Sequence, residues 1–171
     1  MNYANIKNTD VSNGTGIRVS LYVAGCRHAC PDCFNPECWN FEYGQVFDEQ
    51  AMQDLLTALS PSYIRGLTLL GGEPLEPENW EGILAVIQRV REVYPQKDIW
   101  CYTGFVYEAL QDSLVQTILS LTDVLVDGPF VKQLKDLNLR FRGSSNQRII
   151  DLNKTRASGQ LTLWTDEFGG Q

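Results

Sequence analysis

Four short runs rich in β-branched, aliphatic or aromatic residues, 17–25, 66–72, 98–104 and 123–128, each end on a glycine. Short β-branched runs that stop at a turn residue read as strands. The stretches between them carry helical spacing instead. Residues 47–60 offer Asp48 as a cap, then Met52, Leu55, Leu56 and Leu59 on one face. Residues 77–94 open on Pro77 and place Trp80, Ile83, Leu84, Ile87 and Val90 together. Residues 106–122 give a third helix. This alternation predicts an α/β fold with a parallel sheet and right-handed crossovers. Past residue 130 the pattern weakens. "LRFRGSSNQRIIDL" and "QLTLW" read as short strands at the end of the sheet, and "TDEFGGQ" as a frayed tail.

Parallel sheets gather their ligand sites at the C-terminal ends of the strands. Four unusual segments fall there: "GCRHACPDCFN" at 25–35, "GGEP" at 71–74, "YTG" at 102–104 and "DGPF" at 127–130. They are expected to share one rim and one ligand.

A chain of 171 residues suits a single domain over 1–171. Its net charge of −7, from 14 basic and 21 acidic side chains, argues against nucleic acid as a partner, which needs a basic face. No apolar run approaches the roughly 20 residues that cross a bilayer, so no membrane partner is expected. The polar start "MNYANIKNTD" has no secretory core. The expected location is the cytoplasm, where clustered cysteines serve as ligands or catalysts rather than disulfides.

Cys26, Cys30 and Cys33 are separated by three and then two residues, and Cys38 follows. Tetrahedral zinc sites draw on two separated pairs, whereas three thiolates in one tight loop suit a cubane that takes its fourth ligand elsewhere. Cys38 can close such a site, or one iron can stay open; spacing leaves both standing. Asp32 and Glu37 read as solvated loop residues, His28 as a solvated loop residue or else a ligand or proton donor, and Cys101 as a buried free thiol. In "GGEP", Gly71 and Gly72 permit close backbone approach, and the exposed carbonyls with the Glu73 carboxylate suit a ligand ammonium; taken alone, the segment reads first as a plain strand-to-helix turn.

CxxxCxxC together with "GGEP" resembles the radical S-adenosylmethionine superfamily. With "NGTGIR" (13–18), "DIWCYTG", "VLVDGPFV" (124–131) and "RGSSNQR" (142–148), the chain is similar over about 2–150 to the activating proteins of anaerobic ribonucleoside-triphosphate reductase, leaving 151–171 as an extension. That resemblance implies a partial, open (β/α) barrel. It implies a 4Fe–4S cluster held by Cys26, Cys30 and Cys33, with the fourth iron binding the amino and carboxylate groups of S-adenosylmethionine. Gly71, Gly72 and Glu73 would meet the methionine ammonium. Tyr102, Thr103 and Gly104 would line the ribose side, and Asp127 would stand at the rim. Asn146 and Arg148 would close the site or meet the partner. Many members carry an aromatic residue just before the third cysteine; here that position is Asp32, and Phe34 is the nearby substitute. The implied reaction is reductive cleavage to methionine and a 5′-deoxyadenosyl radical, which takes hydrogen from a glycine of the reductase. A flavodoxin- or ferredoxin-type protein would supply the electron. The competing readings are a small-molecule radical enzyme of the deazapurine-synthesis type and a non-enzymatic zinc or iron–sulfur module.

Overall fold

The computed structural model describes residues 1–165; the tail expected to fray lies, past Thr165, outside the described residues. A single sheet runs in the order β3-β1-β2-β4-β5-β6-β7. Its strands are β1 (Asn2–Asp10), β2 (Ile17–Val23), β3 (Gln45–Val46), β4 (Ile64–Gly71), β5 (Asp98–Tyr102), β6 (Val124–Asp127) and β7 (Arg148–Asp151). The helices are α1 (Glu49–Leu59), α2 (Trp80–Val93), α3 (Ser113–Ser120) and α4 (Leu152–Ser158).

The four strands expected from sequence form the parallel centre, β2-β4-β5-β6. The sheet as a whole is mixed, which corrects the expectation of a parallel one. β1 pairs antiparallel with β2 and β3 with β1, while β7 returns antiparallel along β6. β1 was invisible in the sequence because it is polar and rich in Asn, a residue depleted from strands. Its pairing along β2 supplies what propensity does not. "QLTLW" contributes only an isolated bridge, Leu163 to Ile150.

The crossover helices all pack on one face. Val19, Leu21, Leu67, Leu69, Ile99 and Leu125 alternate along the strands and meet Leu55, Leu59, Ile83, Ile87, Val90 and Ile118 in a single core. α1 starts where Asp48 accepts the Ala51 N–H at 3.0 Å. α3 is shorter than expected. Asp112 caps it by accepting the Leu114 N–H at 2.8 Å, and Tyr107–Ala109 form a separate 3₁₀ turn. The opposite face of the sheet carries Arg18, Ser20, Thr68 and Trp100, all buried. Loops cover that face, so the molecule is wound in one direction and stays open at both edges.

Candidate cofactor site

A cavity of about 430 Å³ opens at the C-terminal ends of β2, β4, β5 and β6. All four segments singled out above reach it: Cys26, Cys30 and Cys33; Gly71, Gly72 and Glu73; Tyr102, Thr103 and Gly104; and Gly128 with Phe130. Phe34 also lines it and is 77% exposed.

All five cysteines are free thiols. Cys26, Cys30 and Cys33 are partly exposed, whereas Cys38 and Cys101 are buried and lie off the cavity wall. Ala29 and Asp32 take left-handed backbone angles, φ 48° and 60°, which wind the loop tightly between its thiols. Cys33 N–H closes a turn on the Cys30 carbonyl at 3.1 Å. Burial pushes the Cys26 thiol up to about 11, so a metal binding there must displace a proton. Among the described residues no three His, Cys, Asp or Glu side chains form a cage for a single ion. A cubane asks for a wider set, one thiolate on each of three irons, and three soft donors on one cavity wall fit that demand.

What fixes the thiol loop is a set of acids that follow the glycine pair. Glu73 is buried, and its Oε2 accepts the Gly104 N–H at 2.7 Å and the His28 Nε2–H at 2.9 Å. Its Oε1 accepts the Leu75 N–H at 2.8 Å. One carboxylate thus ties three loops together. Next to it, Glu76 accepts the Arg27 N–H and an Arg27 guanidinium N–H, both at 2.7 Å. Glu78 also receives Arg27, whose guanidinium lies 4.4 Å from the Phe41 ring centre. Asn79 Nδ2 bridges the Ala24 carbonyl at 2.9 Å and the Glu73 carbonyl at 3.0 Å. The signal was legible in principle: two bases between the first two cysteines, and Glu73, Glu76 and Glu78 after the glycines.

Several expectations change accordingly. His28 is not a solvated residue: its side chain is 19% exposed and stacks edge-on against Phe105 with centroids 4.5 Å apart. The bond to Glu73 raises its pKa above the ordinary imidazole value, against the opposing effect of burial. The Glu73 carboxylate is engaged by His28, Gly104 and Leu75. A Cβ on Gly72 would stand 2.6 Å from the Gly25 carbonyl oxygen and 2.8 Å from that of Cys38. That close approach serves the cysteine loop itself. Likewise a Cβ on Gly104 would meet the His28 ring at 2.6 Å. Asp32 and Glu37 are exposed as expected, and Asp32 also pairs with Lys132 at 2.8 Å.

Asn146 does not line the cavity; its Nδ2 donates to the Pro129 carbonyl at 2.8 Å, and Gln147 lines the wall instead. Asp127 is buried off the wall, where it accepts the Tyr107 N–H at 2.8 Å and Arg148 Nε at 2.9 Å. Arg148 reaches on to Glu108 with two bonds of 2.9 and 2.7 Å. Asp127 and Arg148 therefore brace β6, β7 and the loop after β5.

Sequence reasoning missed the wall contributed by Ser12 and Asn13. Asp10 holds both: it accepts the Ser12 N–H at 2.9 Å, Asn13 Nδ2 at 2.6 Å and the Ser20 hydroxyl at 2.6 Å. An Asp two residues before a Ser is an Asx-turn signal, and it was present in "TDVSNG".

A family model described as a 4Fe-4S single cluster domain matches residues 12–150. An anaerobic ribonucleoside-triphosphate reductase-activating protein of Haemophilus influenzae is 44% identical over 151 residues, covering 87% of this chain and 97% of the relative. The protein of that name from Escherichia coli is 42% identical over 154 residues, covering 89% and 99%. That of Pasteurella multocida is 43% identical over 152 residues, covering 87% and 96%. With the thiol loop and the strand-end cavity in place, this chain belongs to the family of anaerobic ribonucleoside-triphosphate reductase-activating proteins.

Proposed function

We propose that Cys26, Cys30 and Cys33 hold a 4Fe–4S cluster with one open iron, beside a site for S-adenosylmethionine, and that the chain installs a glycyl radical in its reductase. The observation that carries this reading is the sorting of the thiols. Three partly exposed thiols line the cavity that Gly71 and Gly72 also line, while Cys38 is buried. When bound, the cluster supplies the electron that cleaves S-adenosylmethionine to methionine and a 5′-deoxyadenosyl radical, which takes hydrogen from a glycine of the partner.

The chain's own residues bind and orient. The carbonyls of Gly71 and Gly72 receive the ligand ammonium. Glu73 and His28 keep the thiol loop against the "YTG" loop. Thr103 faces the ribose, and Phe34 offers the adenine an aromatic surface. The open, singly wound sheet acts as a partial (β/α) barrel of the radical S-adenosylmethionine type, whose gap admits a loop of a large protein. A flavodoxin- or ferredoxin-type reductant in the cytoplasm completes the system. No helix among the described residues is long and apolar enough to cross a membrane.

The test is electron paramagnetic resonance of the anaerobically reconstituted, reduced protein, with and without S-adenosylmethionine. The expected result is a reduced-cluster signal that changes on adding the ligand. Replacing Cys26, Cys30 or Cys33 by Ala should remove that signal, and Cys38→Ser should keep it. A signal indifferent to the ligand, or lost in Cys38→Ser, would close the cluster and make the chain an electron carrier. Zinc in place of iron would make the thiols structural.

A further inference from the structure

Arg142 presents a buried, unanswered donor at the cavity wall. Its Nη1 donates to the Gln147 carbonyl at 2.6 Å, but its Nε is buried with no hydrogen-bond partner. The other buried side-chain polar atom in that condition among the described residues is Asp98 Oδ1, and it lies 2.5 Å from Arg18 Nη1. An orphaned guanidinium N–H is therefore particular to this wall. Buried polar groups without partners are uncommon because their desolvation is not offset, so each one points to a missing acceptor.

The segment around Arg142 is built to hold it there. Gln147 Oε1 accepts the Gly143 N–H at 2.8 Å and the Ser144 N–H at 3.1 Å. Gln147 Nε2 donates to the Gly128 carbonyl at 3.1 Å. Ser144 is fully buried, and its Oγ accepts the Val131 N–H at 3.1 Å. Immediately before Arg142, Phe141 has φ of 59°, a conformation that non-glycine residues adopt at a cost. Its ring packs edge-on against Trp100 at 5.5 Å, and its carbonyl accepts the Tyr102 hydroxyl at 2.8 Å. The fold thus sustains a strained backbone directly beside the orphan donor.

Among the described residues no carboxylate of the cavity answers Arg142. Glu73 is occupied by three donors, Asp32 faces Lys132, and Asp136 accepts from Asn138. A guanidinium with open N–H groups favours a planar anion that takes two of them. S-adenosylmethionine carries one anionic group, the carboxylate of its methionine, alongside an ammonium and a sulfonium. We infer that Arg142 is the residue that recognises the carboxylate of the bound S-adenosylmethionine. This rests on the reading of the cavity given above.

The test compares two ligands that differ only in that group, S-adenosylmethionine and its decarboxylated form. Equilibrium dialysis is run against reconstituted protein with the cluster kept oxidised, so that nothing turns over. The wild-type chain is expected to prefer the carboxylate-bearing ligand. In Arg142→Gln the preference should shrink about ten- to a hundredfold, the scale of a charge-assisted hydrogen bond. The decarboxylated ligand should bind as before, and Arg142→Lys should recover part of the preference. An unchanged preference in Arg142→Gln overturns the inference alone, and so does an equal weakening of both ligands, which would mean a structural role. A preference that stays while affinity for the reductase falls would assign the guanidinium to a protein acceptor, again overturning it. If the wild-type chain binds neither ligand, the S-adenosylmethionine reading fails and the inference fails with it.

Discussion

The two faces of the sheet are held by different physics. On the helix face, Val19, Leu21, Leu67, Leu69, Ile99 and Leu125 meet three helices in an apolar core. On the loop face, Arg18 is fully buried and surrounded by polar partners. Its Nε donates to the Thr68 hydroxyl at 2.7 Å and its Nη2 to the Leu67 carbonyl at 2.8 Å. Its Nη1 pairs with Asp98, and its guanidinium lies 5.4 Å from the Trp100 ring centre. Burial pulls the Arg18 pKa below its ordinary value, and Asp98 opposes that pull. The helix face is stabilised by area removed from water, which many sequences satisfy. The loop face is stabilised by partners that must all be present. The cavity opens beside the second kind of face, where Leu70, Tyr102 and Phe141 lead into its wall.

The sharpest way to break this contrast is a pair of substitutions, one per face. Arg18→Met removes a buried cation and leaves Asp98 and the Thr68 hydroxyl without it, a loss of about 3–5 kcal/mol. Adding Asp98→Asn should recover part of that loss, because it removes a carboxylate left with Arg65, at 2.9 Å, in place of two arginines. Leu69→Ala, on the helix face, should cost about 2–5 kcal/mol through transfer and cavity terms, with no second-site recovery from any polar change. Urea unfolding of the apoprotein measures both. If Arg18→Met costs under about 1 kcal/mol, the loop face is not held by its polar network.

A smaller effect should separate stability from site geometry. Asp10 is fully buried and serves four donors, Lys7, Ser20, and Ser12 and Asn13 of the cavity wall. Burial raises its pKa, but the hydrogen bonds from Ser20, Asn13 and Ser12 outweigh this and leave it lowered. Asp10→Asn keeps the size and loses the charge. We expect about 1–3 kcal/mol of destabilisation, together with faster amide hydrogen exchange in residues 11–16. Unchanged exchange there would show that the loop is held by its other contacts, such as the Thr68 hydroxyl donating to the Asn13 carbonyl at 2.8 Å.

The same contrast explains what could be read from the sequence. The parallel centre and the first two helices followed from periodicity, because apolar burial on the helix face writes itself at intervals of two and of three to four. The rim followed as well: four strand-end segments were expected together, and they line one cavity. The covering loops did not follow. β1 is too polar to announce itself, and Asp10 works through an Asx turn and a partner ten residues away. Glu73 joins segments far apart in the chain: its partners His28 and Gly104 lie 45 and 31 residues away. Arg142 and Gln147 sit in a turn whose bonds are specific but aperiodic. Periodicity reports burial, and it is silent about polar networks joined across the chain.

The weakest expected effect concerns acids at the surface of the loop network. Glu78 is held down to about 2 by its hydrogen bonds with Arg27, and Glu108 to about 2 by those with Arg148. Both carboxylates are well exposed, so solvent screens these pairs and their contribution is small. The sign is fixed by linkage. A carboxylate whose folded pKa lies below its unfolded value stabilises the fold above the unfolded pKa, and that contribution fades as pH falls through the folded one. Here the window runs from the unperturbed 4.5 down to about 2. In that window the melting temperature of the wild-type apoprotein should fall more steeply than that of Glu78→Gln/Glu108→Gln, and the two slopes should agree above pH 5. Adding salt should narrow the difference, because exposed pairs are screened while the buried Asp10 and Arg18 networks are not. Equal slopes at low salt would mean that these two arginine clasps contribute nothing measurable to folding. The thiol loop would then be held by its buried partners, Glu73, Glu76 and Asn79, rather than by the Glu78 clasp.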